Sequence, residues 1–157
     1  MTFGTVTNFD GHATVRFGRH VSASPATLWA SLTDEAALSV WLAPGIIEPH
    51  FGGTVRFDFG EDQQVAGEVL EHDPLRVIEY TWTFTGEPDS VLRFELEETT
   101  EGVNLVLEHR LLPPDQAVGY GAGWHAHLDM LEAHVTESDP VDWDKRFGEV
   151  LGHYAGA

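Results

Sequence analysis

Between residues 46 and 110 the chain alternates apolar and polar side chains almost without a break, and this limits the folds open to it more than any other feature. The runs IIEPH, TVRFDF, QVAGEVLEH, RVIEYTWTF, SVLRFELEE and VNLVLEHR are separated by Gly-Gly, Gly-Glu-Asp, Asp-Pro, Gly-Glu-Pro-Asp and Glu-Gly. A period of two sends successive side chains to opposite sides of a pleated strand, and breaks this short hold only turns. Six successive strands therefore form an antiparallel meander. Val55, Phe57 and Phe59, then Ile78, Tyr80, Trp82 and Phe84, then Leu92, Phe94 and Leu96, then Val103, Leu105, Leu107 and His109 each fall on one side of their strand. The other sides carry Arg56, Asp58, Glu79, Arg93, Glu95, Glu97, Asn104 and Glu108. One sheet face is buried, the other is wet, and the buried face needs a cover.

The cover is legible where the period changes. Past Pro113-Pro114, Ala117, Tyr120, Trp124, Leu128, Leu131 and Val135 recur at spacings of three and four, which predicts a long amphipathic helix over 117–135. Upstream, TVRFGRHV at 14–21 reads as a further strand with Val15, Phe17, Arg19 and Val21 on one side. Ser24-Pro25 then supplies an N-cap and a first-turn proline for a helix carrying Leu28, Trp29 and Leu32. Thr33 or Asp34 opens a second short helix through Leu38, Trp41 and Leu42, stopped by Pro44-Gly45. DWDKRFGEVLGHY returns to helical spacing through Trp143, Phe147, Val150 and Leu151, a short C-terminal helix. With 42% hydrophobic and 11% aromatic residues there is ample material for one core, so a single domain over 1–157 is expected.

Charge narrows the partners. The formal net charge is -18, and Lys145 is the single lysine, so polyanions are repelled: neither nucleic acid nor an anionic membrane is an expected partner. Cysteine is absent, which excludes disulfides and thiolate chemistry. MTFGTVTNFDGH has no basic start leading into an apolar run, and no stretch approaches the roughly 18 apolar residues of a spanning helix, so a cytoplasmic location is expected.

GYGAGWHAHLDML, at 119–131, has the look of a metal or catalytic motif. In a helix, however, His125 and His127 are separated by roughly 200° of rotation and cannot share a metal ion. His125 has Asp129 and Glu132 on its flank and His127 has His134 on the other; both sets read as a solvated helix surface. Gly121 and Gly123, beside Tyr120 and Trp124, read as points where the helix approaches the sheet or a loop. The stretch is a lid, and neither a metal nor a cofactor is expected.

The inward rings, joined by Trp41, Phe51 and Trp124, offer more aromatic surface than a thin sheet-helix layer needs. Two readings fit: a core built of bulky residues, or the wall of a small-molecule cavity. For the second, the candidate ligand-binding residues are Trp41, Phe57, Phe59, Tyr80, Trp82, Phe94, His109, Tyr120, Trp124 and Leu128. His109 and Arg19 fall on the apolar side of their strands and each needs a polar partner or water, while Tyr80 offers a hydroxyl. No nucleophile-base motif, phosphate-binding glycine loop or cluster of metal ligands stands out.

The ordered pieces ASPATLWASLTDEAALSVWLAP (23–44), GGTVRFDF (52–59), GEVLEHDPLRVIEYTW (67–82), SVLRFELEETTEGVNLVLEHRLLP (90–113) and GWHAHLDML (123–131) resemble the SRPBCC superfamily, also called START-like or Bet v 1-like. Within it they are similar to the family named for the C-terminal domain of the activator of the heat-shock protein 90 ATPase. The resemblance implies an α+β helix-grip fold: a seven-stranded curved antiparallel sheet around a long C-terminal helix, with two short helices after the first strand and an apolar cavity between. Members of this superfamily hold lipids, hormones and polyketides; some are cyclases or aromatases, some intercept reactive natural products, and the founding domain is part of a co-chaperone. Non-catalytic binding of a small hydrophobic or aromatic molecule is the first expectation. A cyclase-like enzyme using His109, Arg19 or Tyr80 is the alternative and a chaperone-interaction module the third, with a homodimer left open.

Overall fold

The computed structural model describes residues 2–156. Strands β1 (Thr5–Phe9) and β2 (His12–Val21) form a hairpin. The short helices α1 (Pro25–Thr33) and α2 (Glu35–Trp41) follow, and then β3 (Gly45–Ile47), β4 (Thr54–Asp58), β5 (Gln64–Asp73), β6 (Val77–Phe84), β7 (Ser90–Thr99) and β8 (Gly102–Leu112) run as a meander. Helices α3 (Ala117–Val135) and α4 (Trp143–Ala155) close the chain. All eight strands lie in one antiparallel sheet in the order β1-β2-β8-β7-β6-β5-β4-β3. The first and last strands of the meander are thus far apart, and α1 and α2 carry the chain from β2 to the opposite edge.

The sheet has one strand more than the seven expected. β1, TVTNF, lacks apolar alternation because it is an edge strand with most of its residues exposed. Its signal was the turn instead: Asp10 and Gly11 both have positive φ, 52° and 79°, the geometry that joins two strands through a two-residue hairpin loop.

The local reasons for the helices hold. The Ser24 hydroxyl accepts a hydrogen bond from the Thr27 amide (3.1 Å) with Pro25 in the first turn, and the Asp34 carboxylate accepts from the Ala37 amide (3.4 Å). α3 covers the residues expected of it.

Cross-strand register builds the core in rows. Phe17, Leu107, Phe94 and Ile78 stand side by side on β2, β8, β7 and β6; the next row is Val15, His109, Leu92 and Tyr80. All eight are essentially inaccessible. α3 lies across these rows with Trp124, Leu128 and Leu131 buried against them. Each such large side chain contributes about 1.5–3 kcal/mol through removal of apolar surface from water. The result is an α+β helix-grip arrangement, a curved open sheet wrapped around a long helix.

Candidate functional site

Close packing fails where α3 begins. A cavity of about 310 Å³ opens between the ends of β4 and β6, the first half of α3 and the start of α4. Phe59 follows β4, Trp82 and Phe84 come from β6, Tyr120, Trp124 and His127 come from α3, and Trp143 and Phe147 come from α4. Leu42 completes the apolar wall, while Gln63, Glu87 and Gln116 stand near the mouth. Tyr120, Trp124 and His127 recur at spacings of four and three, one stripe of the helix.

Inside, the rings meet edge to face or stack. Trp82 and Trp124 have centroids 5.4 Å apart at 60°, and Trp143 stacks on Phe147 at 4.8 Å and 21°. The Tyr120 hydroxyl donates to Glu87 Oε1 (2.6 Å) and accepts from Trp82 Nε1 (3.2 Å). Burial and the neighbouring Glu87 carboxylate raise its pKa, so it stays a neutral phenol.

Of the ten residues expected to touch a ligand, Phe59, Trp82, Tyr120 and Trp124 line this cavity. Trp41, Phe57, Tyr80, Phe94, His109 and Leu128 are buried in the closed core behind it and are absent from its lining. Strand parity tells which side a residue faces, not how far along the strand the packing loosens. Phe51, added to the aromatic count, is 75% exposed.

His109 shows why the core is closed there. Trp124 Nε1 donates to His109 Nδ1 (2.9 Å), His109 Nε2 lies 2.7 Å from Ser90 Oγ, and Ser90 Oγ donates to the Trp82 carbonyl (2.9 Å). Since the serine proton is committed to the carbonyl and Nδ1 is an acceptor, the imidazole is the neutral Nε2–H tautomer and donates to the serine. Burial depresses its pKa to about 3. Both ring nitrogens serve the core. Arg19 is likewise occupied, with Nη1 on Asp129 (2.5 Å) and Glu132 (3.1 Å) and Nη2 on the Thr2 carbonyl (3.0 Å).

The two lid histidines are not the solvated surface expected of them. His125 is fully buried, with its Nδ1 2.8 Å from the Tyr154 hydroxyl, which also accepts from the Gly4 amide (2.9 Å). His127 turns the other way, and its Nδ1 lies 2.9 Å from the Trp41 carbonyl, an acceptor only, so Nδ1 carries the proton. Burial pulls its pKa down to about 4 against the opposing effect of that carbonyl. A neutral imidazole with a bare Nε2 therefore sits in the cavity wall. Sequence reading missed it, although its place three residues after Trp124 on the same stripe was the available signal. The glycines also serve a different neighbour from the one expected. A Cβ on Gly121 would stand 2.8 Å from the Tyr154 ring and one on Gly123 3.7 Å from Trp143, so both face α4, not the sheet.

The sequence profile of the family described as activator of Hsp90 ATPase homolog 1-like protein matches residues 22–136. The chain belongs to this family. Within the match lie α1, α2, β3 to β8 and α3, which supply the cavity wall apart from Trp143 and Phe147; the β1–β2 hairpin and α4 lie outside it. Among solved structures, CalU16 from Micromonospora echinospora superimposes with a TM-score of 0.81 at 21% identity, covering 99% of this chain and 96% of its own. The protein encoded by BPP1335 from Bordetella parapertussis gives 0.77 at 27% identity, covering 98% and 90%. EF2215 from Enterococcus faecalis, described as a conserved protein of unknown function, gives 0.78 at 22%, covering 98% and 91%. No curated protein matches the chain. Among the described residues no three His, Asp or Glu side chains are grouped to hold a metal ion, and no helix is long and apolar enough to cross a membrane.

Proposed function

We propose that this domain binds a small hydrophobic molecule in the cavity between the sheet, α3 and α4, and carries or sequesters it without transforming it. The aromatic cavity itself supports the reading: its volume of about 310 Å³ stands at the lower end of the range for small-molecule sites, and its walls are mostly rings with a few polar groups. The groups considered for proton transfer weigh against an enzyme. His109 has both nitrogens engaged in the core and Arg19 is held by two carboxylates, while Tyr80 stands off the cavity wall. A general base works best with a pKa near the ambient pH, and His127 is far more acidic than that.

The test is direct. Native mass spectrometry of the freshly purified protein should show a bound compound that extraction releases, and a naphthalene dye should quench tryptophan fluorescence in the folded state. Gly119→Phe places a ring at the cavity where an added Cβ meets nothing within 4 Å. It should lower dye affinity at least tenfold with the melting temperature little changed. Undiminished dye binding in this variant would remove the cavity as the binding site.

A further inference from the structure

The polar chemistry of the cavity is as selective as its shape. Several polar atoms of its aromatic walls are already spent: Tyr120 OH is shared between Glu87 and Trp82, Trp82 Nε1 is used on Tyr120 and Trp124 Nε1 on His109, whereas the indole Nε1 of Trp143 is a buried donor without a partner. His127 Nε2 is different. Its partner nitrogen is locked on the Trp41 carbonyl, no described residue donates to Nε2, and it is not among the atoms sealed from solvent. It is an acceptor without a donor in the wall of a site ringed by Trp124, Trp143 and Phe59, whose rings lie 5.7, 5.5 and 6.2 Å from the imidazole.

Charge sets a second condition. The lining contains no lysine or arginine, its one carboxylate is Glu87, and the chain carries a net charge of -18. An anionic ligand would lose its hydration in this cavity and meet no cation in return. An apolar compound without a donor would cover Nε2 and leave it unpaired, which costs binding energy; a hydroxyl would pair it.

We infer that the cavity selects uncharged, fused-ring aromatic compounds bearing a hydroxyl group, and that His127 Nε2 accepts the hydrogen bond from that hydroxyl. This rests on the ligand-binding reading above and names its specificity. The imidazole takes no proton from the ligand; it orients the hydroxylated edge toward α3 while the rings pack between Trp124, Phe59 and the Trp143–Phe147 stack.

Three probes of one ring system separate the requirements: 2-naphthol, 2-methoxynaphthalene, which lacks the donor, and 2-naphthoate, which is an anion. In the wild-type protein 2-naphthol should bind roughly three- to tenfold more tightly than 2-methoxynaphthalene, with 2-naphthoate the weakest. His127→Phe should erase the preference for 2-naphthol while leaving the methoxy compound at least as well bound. Independently of whether that variant folds, the nitrogen NMR signal of His127 Nε2 in the wild-type protein should move on adding 2-naphthol and stay nearly still with 2-methoxynaphthalene. Equal affinities for the two neutral compounds, tightest binding of 2-naphthoate, or an unmoved Nε2 signal at saturating 2-naphthol would overturn the inference and leave ligand binding standing. If none of the three binds, the cavity reading falls together with it.

Discussion

His125 and His127 are two residues apart on one helix, yet they face opposite kinds of protein interior. On the His125 flank, α3 is sealed to β2 and α4 by polar groups: Asp129 holds both Arg19 and Arg146, Glu132 adds a second carboxylate to Arg19, and Tyr154 bridges His125 to the Gly4 amide. Rings fill the remaining space, with Phe3, Phe17 and Tyr154 all packed on His125. On the His127 flank the wall is mostly aromatic rings whose edge-to-face and stacked contacts leave space unfilled, and a cavity stays between them. Directional bonds draw one flank together and constrain it to a single arrangement. Large rigid rings on the other leave a gap where their shapes disagree. The ionic flank supplies the frame against which the aromatic flank can remain open.

The largest expected effect comes from breaking the ionic flank. Asp129→Ala leaves Arg19, whose side chain is 4% exposed, with only Glu132 and a carbonyl, and leaves Arg146 with only the more distant carboxylate of Glu149 (3.5 Å). Removing one member of a buried ion pair costs about 3–5 kcal/mol, which urea denaturation reads as a lower midpoint. Affinity for the dye should hardly change in the folded fraction. A parallel loss of affinity would mean that the two flanks are coupled through α4, which carries both Arg146 and the Trp143–Phe147 pair.

Acid acts on both flanks. Burial lowers the pKa of His109 to about 3 and of His127 to about 4, and it holds His125 below the ordinary range although Asp129 pulls the other way. The native state therefore prefers neutral imidazoles, and as the pH falls below about 6.5 the unfolded chain takes up protons first. The stability due to these groups is complete above that pH and is lost as the pH falls toward 4, at roughly 1.4 kcal/mol per pH unit for each histidine. Denaturation series between pH 7.5 and 5 should show the slope, and His109→Gln should reduce it by one histidine's share. A flat profile over this range would contradict the placement of all three.

The smallest effects sharpen the contrast by their sign. Gly121→Ala would push a methyl to 2.8 Å from the rigid Tyr154 ring and should destabilise by about 1–3 kcal/mol. Gly123→Ala meets Trp143 at an ordinary 3.7 Å and removes a helix glycine, so it should stabilise by about 0.5–1 kcal/mol. Thermal unfolding of the two variants checks the pair; the same sign in both would mean that the flanks are packed alike.

Much of this molecule is written in local patterns. Alternation placed Phe57, Tyr80, Trp82, Phe94 and His109 on the inner side of their strands, because a strand's side-chain period is set by the backbone alone. Likewise Ser24 and Asp34 marked helix starts through caps that involve only neighbouring residues. Other features depend on atoms far apart in the chain. Whether Trp82 borders a cavity while Phe94 lies in the core depends on the curl of the sheet and the position of α4, 60 residues away, not on either strand's pattern. The proton on His127 is placed by a carbonyl from α2, and the charge of Arg19 is met by carboxylates from α3. Sequence thus determined direction, toward the core or away from it, since direction follows from backbone geometry. Tertiary structure alone decided distance, and with it which inward residues have a partner and which face empty space.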